Sequence, residues 1–155
     1  MADWARQIHW DDVEVGDPVP PVVFNLTVHR LVVFAGGNRD FAPIHHDTEV
    51  ARAQGAGDMY ANNVFCQAMW ERAVREWMGL EGRIKKVGPF RMRLFNTVGE
   101  VVTTSGEVRR KWEEGGECFV ELEMRSTHSK GVSIGPGPVT VTLPRRPDAP
   151  TIHGD

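Results

Sequence analysis

The stretch RDFAPIHHD, residues 39–47, contains several side chains that can give or take a proton. Asp40 precedes His45 by five positions, and Pro43 lies between them. Because proline restricts its own φ and biases the preceding residue toward extended backbone, this segment is stiffer than a typical loop. A carboxylate and an imidazole held at a fixed separation can bind one water molecule and remove its proton. The same residues also fit an ordinary solvated turn, so the surrounding elements must decide.

A metal site is an alternative reading of His45, His46 and Asp47. A further well-spaced ligand and groups that would orient the ligands are not evident in the sequence. Cys66 and Cys118 are far apart and form no CxxC spacing, so they indicate neither a zinc site nor a disulfide framework. We therefore expect no metal, and His46 is interpreted as a surface or capping group.

The length of the chain indicates one domain, and its charge pattern indicates no strongly charged partner. The 155 residues suffice for one core, and the 18 basic and 21 acidic residues are interspersed rather than grouped. This pattern provides no basic patch for nucleic acid or for an anionic membrane. The first twelve residues contain no apolar targeting stretch, and the longest apolar run is LVVFA, residues 31–35. We expect a cytoplasmic protein that binds neither nucleic acid nor membrane.

The elements on either side of the titratable loop are short. Prolines in VEVGDPVPP favour an extended or turning backbone, and glycines end the helical apolar spacing that precedes the loop. The predicted order is a lead-in loop over 13–21, a strand over 22–28, a helix from residue 29 to Gly36–Gly37, and a brief helix over 48–55 with Thr48 as its N-cap.

The second half of the chain predicts one long helix and a sheet that covers it. Residues 58–77 contain no proline or glycine and carry a broad apolar stripe at 3.6-residue spacing. Four consecutive strand-like runs follow, at 83–95, 100–112, 117–127 and 131–144, and their short glycine-bearing links predict an antiparallel meander. The fold class is therefore α+β, with one domain over 1–144 and a proline-rich, flexible tail over 145–155.

The run from Val13 to Gly57 resembles the MaoC-like, (R)-specific enoyl-CoA hydratase family. In both, VEVGD is followed by a strand, a helix and a motif of Asp, Asn-Pro-Ile-His and a second Asp, which reads DFAPIHHD here, residues 40–47. The resemblance continues through the long helix and the sheet. Three stretches are especially similar to the small MaoC-like subunits of actinobacterial hydratases that act on steroid side chains: RDFAPIHHD, AQGAGDMYANNVF and IKKVG.

The resemblance implies a hot-dog fold, in which a curved antiparallel sheet wraps one long helix and pairs with a second hot dog, identical or different. It also implies that Asp40 and His45 activate the water that adds across a trans-2-enoyl-CoA thioester. The product is a (3R)-3-hydroxyacyl-CoA, the reverse dehydration is equally implied, and neither metal nor organic cofactor takes part.

Two positions depart from the family pattern. Asn62 occupies the place of a glycine whose backbone N–H points at the thioester oxygen; a backbone donor survives this change, although Asn62 could instead cap the helix. Ala42 replaces the usual asparagine, which affects loop rigidity or substrate range more than the chemistry of the pair. Four cations are candidates for the phosphates of coenzyme A or form a solvated strand face: Lys85, Lys86, Arg91 and Arg93.

Two other functions remain open at this stage. A helper hot-dog subunit could complete the acyl tunnel of a partner without catalysing a reaction itself. A hot-dog thioesterase would use a carboxylate on the long helix, but Glu71 and Glu76 each have an arginine four residues away and are expected to form surface ion pairs with Arg75 and Arg72.

Overall fold

An antiparallel sheet of five strands carries the fold in the computed structural model, which describes residues 6–147. The strands lie in the order β1-β3-β4-β5-β2. Every second residue of β4 is buried, as expected for a strand with one face on the core. The strands are β1, Pro18–Asn25; β2, Arg83–Val87; β3, Val101–Glu114; β4, Glu117–His128; and β5, Gly131–Thr142.

Three α-helices accompany the sheet: α1, Val28–Gly37; α2, Thr48–Ala53; and α3, Asn63–Met78. Short 3₁₀ helices lie at Trp10–Asp12 and Pro43–His45. With 16 residues, α3 is about 24 Å long, and it buries Met69, Trp70 and Val74 completely in the core. The predicted long helix and its covering sheet are confirmed.

The long helix begins five residues later than predicted, because residues 58–62 hydrogen-bond to another segment. Tyr60 forms an isolated β-bridge with Thr97, and the N–H of Ala61 donates to the Asn96 carbonyl oxygen at 2.9 Å. These long-range bonds satisfy backbone groups that a helix would otherwise use. Tertiary contacts thus override the apolar periodicity at this end.

The first strand also differs from the prediction, since it begins at Pro18 and ends at Asn25 rather than covering 22–28. β1 is an edge strand, where a proline without an N–H leaves no ladder bond unmade. Its register with β3 shifts between Val19 and Val22, which places Pro20 and Pro21 at an irregularity of the ladder. Thr27 then caps α1 by accepting a hydrogen bond from the Arg30 N–H.

The four later strands do not form one continuous meander, and this prediction was wrong for the first of them. β3, β4 and β5 follow one another through hairpins, whereas β2 is short and pairs with β5 at the opposite edge. Residues 88–97 leave the ladder but stay hydrogen-bonded to β5, with an isolated β-bridge between Met92 and Ile134. A strand pattern in the sequence does not specify which neighbour the strand selects.

Two glycines of β5 allow close contact with Trp70 of α3. A Cβ at Gly135 would lie 2.9 Å from Trp70, and one at Gly137 would lie 3.1 Å from it. The Trp70 Nε1–H donates to Ser126 Oγ at 3.0 Å, so the indole is held by a hydrogen bond as well as by packing. Only residues without a side chain allow this contact.

The last described residues contact the N-terminal 3₁₀ helix. Arg145 pairs with Asp11 at 3.0 Å and with Glu113 at 2.5 Å, and Arg146 pairs with Asp12 at 2.7 Å. The predicted flexible tail covers residues 145–155, of which positions 148–155 lie outside the described residues. The boundary of this tail stays a prediction. No helix within residues 6–147 is long and apolar enough to cross a membrane.

Candidate active site

The C-terminal end of α1 positions Asp40. Arg39 has a left-handed backbone with φ of 61°, its N–H donates to the Gly36 carbonyl at 3.1 Å, and the Asp40 N–H donates to the Ala35 carbonyl at 2.9 Å. This pair of bonds is the Schellman motif, which commonly ends a helix with glycine at the left-handed position. Here arginine occupies that position, at a cost of about 1 kcal/mol. These two hydrogen bonds fix the backbone that carries the Asp40 carboxylate.

His45 is positioned by the 3₁₀ turn that Pro43 begins. The imidazole is buried, and its Nδ1 lies 2.8 Å from the carbonyl oxygen of Tyr60. Because a carbonyl can only accept, Nδ1 carries the proton and Nε2 is the nitrogen free to exchange one. His45 is thus fixed in both orientation and tautomer.

The two predicted catalytic side chains face each other. His45 Nε2 lies 3.3 Å from Asp40 Oδ2, and the exposed fractions of the two side chains are 8% and 35%. When the imidazole is neutral, two acceptors face each other, and a water molecule or a shared proton can join them. The carboxylate is the member of the pair that reaches the surface. The geometry therefore suits activation of a water that arrives from outside.

The side chain of Asn62 contacts Asp40 directly, a contact that the sequence analysis did not predict. Its Oδ1 accepts from the Phe65 N–H at 2.8 Å, so it caps α3. Its Nδ2 donates to Asp40 Oδ2 at 3.0 Å and to Asn38 Oδ1 at 3.1 Å. The capping alternative is correct, while the backbone N–H of Asn62 has no acceptor in the described part of the chain and its donor role stays a prediction.

Asn38 is a residue of the site that the sequence analysis did not identify. It is the C-cap of α1, and its Oδ1 accepts from both the Asp40 N–H and the Asn62 side chain. Its Nδ2 is buried and has no hydrogen-bond partner among residues 6–147. An asparagine two positions before an aspartate at a helix end is a signal for such local bonding. Ala42 contributes a long backbone hydrogen bond to Asp40 Oδ1, at 3.4 Å.

Aromatic rings extend from His45 toward the surface. Tyr60 packs its ring edge-on to His45 with centroids 5.3 Å apart, and Phe95 packs against Tyr60 at 4.6 Å. Burial, together with the charge of Asp40, raises the pKa of Tyr60, so its hydroxyl stays protonated at neutral pH. Phe41, beside Asp40, is 71% exposed. The pair is thus bordered by apolar surface.

The predicted phosphate-binding cations divide into two groups. Lys85 and Lys86 are exposed on β2, where Lys85 forms an ion pair with Glu117 at 2.8 Å. Arg91 and Arg93 are exposed on the irregular segment 88–97, and the Arg93 Nε–H donates to the Gly135 carbonyl at 2.5 Å. That segment also carries Phe95, which touches Tyr60. The structure therefore brings the loop of the two arginines to the site, while the lysines lie on the sheet edge.

The remaining polar residues of this loop lie at the start of α2. His46 is exposed, and Asp47 rather than Thr48 caps α2, by accepting from the N–H groups of Glu49 and Val50. Thr48 instead donates to Asp58 at 2.5 Å. These side chains therefore act locally at the start of α2.

The two carboxylates of α3 have partners on their own helix. Glu76 pairs with Arg72 as expected. Glu71 instead accepts a hydrogen bond from Gln67 at 2.6 Å, and Arg75 donates to the carbonyl of Gly82. The predicted pair of Glu71 with Arg75 is therefore wrong.

A cavity of about 740 Å³ opens between β1, α1 and α3. Val33, Phe34 and Phe65 are among its lining residues, and the Phe34 and Phe65 rings stack with centroids 4.6 Å apart. Phe65 is the residue whose N–H the Asn62 side chain caps. Asp40 and His45 do not line this cavity. The pair therefore lies outside this cavity.

The chain is similar to a curated protein and to several solved structures. No protein-family model matches the chain. Over 78 residues it is 36% identical to the 3-oxo-4,17-pregnadiene-20-carboxyl-CoA hydratase beta subunit of Mycobacterium tuberculosis. The match spans 50% of this chain and 60% of that protein, so the chain aligns with less than two thirds of its relative.

Among solved structures, the ChsH1–ChsH2 complex from Mycobacterium tuberculosis is 27% identical to the chain, with a TM-score of 0.73 over 86% of this chain and 98% of that one. The (R)-hydratase from A. caviae involved in PHA biosynthesis is 20% identical, with a TM-score of 0.76 over 86% and 98%. The R-hydratase PhaJ1 from Pseudomonas aeruginosa is 18% identical, with a TM-score of 0.79 over 96% and 97%. The expected hot-dog fold is confirmed.

Proposed function

Because this chain resembles the MaoC-like (R)-hydratases in both sequence and fold, we propose that it hydrates trans-2-enoyl-CoA thioesters to (3R)-3-hydroxyacyl-CoA, or catalyses the reverse dehydration. The similarity of this chain to enoyl-CoA hydratases supports a hydration or dehydration reaction at the level of the family. The observation that carries the proposal for this chain is the 3.3 Å approach of His45 Nε2 to Asp40 Oδ2. A helper subunit would not need this geometry.

The proposed chemistry uses one water molecule held by the pair. As the water oxygen bonds to the β-carbon of the thioester, its proton passes to the pair, and a proton is delivered to the α-carbon. His45 Nδ1 stays bound to the Tyr60 carbonyl throughout, so Nε2 is the exchanging nitrogen. The catalytic pair is regenerated without any other reactant.

Negative charge develops on the thioester oxygen during the addition, and hydrogen-bond donors aimed at it lower the barrier. We assign this role to the backbone N–H of Asn62, which precedes the first turn of α3 and has no acceptor within residues 6–147. The positive end of the helix dipole favours an anion at the same place. Arg91 and Arg93, on the loop beside Tyr60, are the proposed contacts for coenzyme A phosphates, with Lys85 and Lys86 further along the edge.

A second hot dog, identical or different, is the proposed partner. The named relative is a beta subunit, and one similar structure is a complex of two proteins. Asp40 is partly exposed and does not line the cavity between β1, α1 and α3, which leaves its outer side open for a neighbouring subunit to complete the acyl site. The same observations favour a second candidate function, a helper subunit whose partner carries the reaction.

A steroid-derived thioester is the first substrate to test, since the named relative is the beta subunit of a 3-oxo-4,17-pregnadiene-20-carboxyl-CoA hydratase. The experiment measures hydration of this compound, of crotonyl-CoA and of a medium-chain enoyl-CoA by the purified chain, alone and with a co-purified hot-dog partner. Asp40→Asn and His45→Ala should each lower kcat by about a thousandfold or more, as expected when an acid-base group is lost from a concerted pair.

Each alternative predicts a distinct result in the same assay. If both variants retain full activity in the complex, the chain is a helper and its partner catalyses the reaction. If acyl-CoA instead releases free thiol, detected with a thiol reagent, the chain is a thioesterase and hydration is the wrong reaction.

A further inference from the structure

We infer that Asn62 is a positioning residue, whose side-chain amide holds the carboxylate of Asp40 against His45 while it caps helix α3. The kinetic consequence of this inference rests on the proposed function, but the geometric part does not. Asn62 is only 4% exposed and lies 22 positions from Asp40 in the chain.

Chemistry decides which way the amide of Asn62 faces. The backbone N–H of Phe65 can only donate, so the atom 2.8 Å from it must be the amide oxygen. The amide nitrogen therefore faces Asp40 Oδ2 and Asn38 Oδ1, and each of these oxygens accepts one of its two N–H bonds. All of this amide's donors are used, which locks its orientation.

Asn38, Asp40 and Asn62 form a closed triangle of hydrogen bonds at the junction of α1 and α3. Asn38 Oδ1 accepts from Asn62 and also from the Asp40 backbone N–H, at 3.2 Å. Asn62 donates in turn to the Asp40 carboxylate. The triangle thus joins the main chain and the side chain of Asp40 to the start of α3.

The position of Asp40 Oδ2 depends mainly on Asn62. Oδ2 is the oxygen that faces His45 Nε2, whereas Oδ1 has only the long bond of 3.4 Å from the Ala42 N–H. A hydrogen bond of that length contributes little, and 35% of the side chain is open to solvent. Without Asn62, the carboxylate would rotate toward water. A misplacement of about 1 Å can lower a rate by roughly a hundredfold.

Substitutions at position 62 separate the cap from the positioning role. In Asn62→Ser the hydroxyl still caps α3 and the backbone N–H remains, but no donor reaches Asp40. In Asn62→Asp the cap also remains, and acceptor oxygens replace the donors beside the carboxylate. Thr27→Ala is the control, because it removes the N-cap of α1 far from the pair.

We expect Asn62→Ser to keep a near-wild-type unfolding midpoint and to lower kcat by about 10- to 100-fold, with KM changed by less than about threefold. Asn62→Asp should lower kcat further, because like charges then adjoin Asp40. Thr27→Ala should lower the midpoint and leave kcat unchanged. A crystal structure of Asn62→Ser should show Asp40 Oδ2 beyond hydrogen-bond distance of His45 Nε2.

Two outcomes overturn the inference: an Asn62→Ser enzyme with unchanged kcat, or a crystal structure of it with the Asp40 to His45 separation preserved. Failure of the proposed function looks different, because the wild type and Asp40→Asn would then show equal, background hydration. In that case the separation of Oδ2 and Nε2 in Asn62→Ser still decides whether Asn62 positions the carboxylate.

Discussion

His45 Nδ1 lies 2.8 Å from the backbone carbonyl oxygen of Tyr60, 15 positions later in the chain. This carbonyl is present whatever side chain occupies position 60. Because it can only accept a hydrogen bond, the neutral imidazole must carry its proton on Nδ1. This bond leaves Nε2, the nitrogen that faces Asp40, to exchange protons. The folding of residues 58–62 into an extended segment therefore sets the chemistry of His45.

The first prediction concerns this tautomer. In protein labelled with ¹⁵N on histidine, we expect neutral His45 to show a protonated Nδ1 and an unprotonated Nε2 in long-range ¹H–¹⁵N spectra. Exposed His46, whose ring has no such bond to any residue of the described range 6–147, serves as the comparison within the same loop. A neutral His45 with its proton on Nε2 would contradict the assignment.

The second prediction concerns the strained end of α1. Arg39→Gly should raise the free energy of unfolding by about 0.5–1 kcal/mol, because glycine adopts the left-handed φ of 61° without the steric penalty of a Cβ. Chemical denaturation monitored by tryptophan fluorescence measures this change. Arg39→Ala keeps the Cβ and should give no such gain. Equal stability of the two variants would mean that strain at this position is not relieved by glycine.

The third prediction concerns the indole in the core. Trp70→Phe should lower the free energy of unfolding by about 2–3 kcal/mol, because it leaves a cavity under β5 and removes the hydrogen bond to Ser126. Trp112→Phe, on the half-buried outer face of the sheet, is the matched control and should cost less than about 1 kcal/mol. Denaturant titration compares the two. A similar loss in both variants would refute the special role of the Trp70 site.

The fourth prediction concerns acid stability. A hydrogen bond from Lys130 lowers the pKa of Glu100 below its usual 4.5. Burial opposes this shift, while a hydrogen bond from Ser129 and the charges of His128 and Lys130 add to it. A carboxyl whose pKa is lower in the folded state stabilises the protein above the unfolded pKa and loses this contribution as pH falls through the folded one. Wild type should therefore lose stability as pH drops below about 4.5.

The variant that tests this point is Glu100→Gln. It should be less stable than wild type at pH 7, and the difference should shrink as the pH falls toward 3. Glu14→Gln, at an exposed position, is the control and should differ little from wild type at either pH. A constant difference between Glu100→Gln and wild type across this range would show that the charge of Glu100 is not responsible.

The amino-acid sequence by itself determined the features that depend on neighbouring residues. The apolar spacing of residues 61–77 places most of them in the buried helix α3, the glycine pair ends α1, and Pro43 begins the turn that presents His45. The motif around Asp40 and His45 also carried the resemblance to the hot-dog hydratases. Such signals are local because helix periodicity, capping and proline geometry act over a few residues.

Only the tertiary structure decided the relationships between distant segments. Hydrogen bonds to partners far along the chain decide three features of the fold. They pair β2 with β5, place the prolines of β1 in a strand, and delay the start of α3. The same holds for the bond of Asn62 to Asp40 and that of Tyr60 to His45. A buried polar group takes whichever partner folding brings within 3 Å or so, and no local pattern specifies that partner in advance.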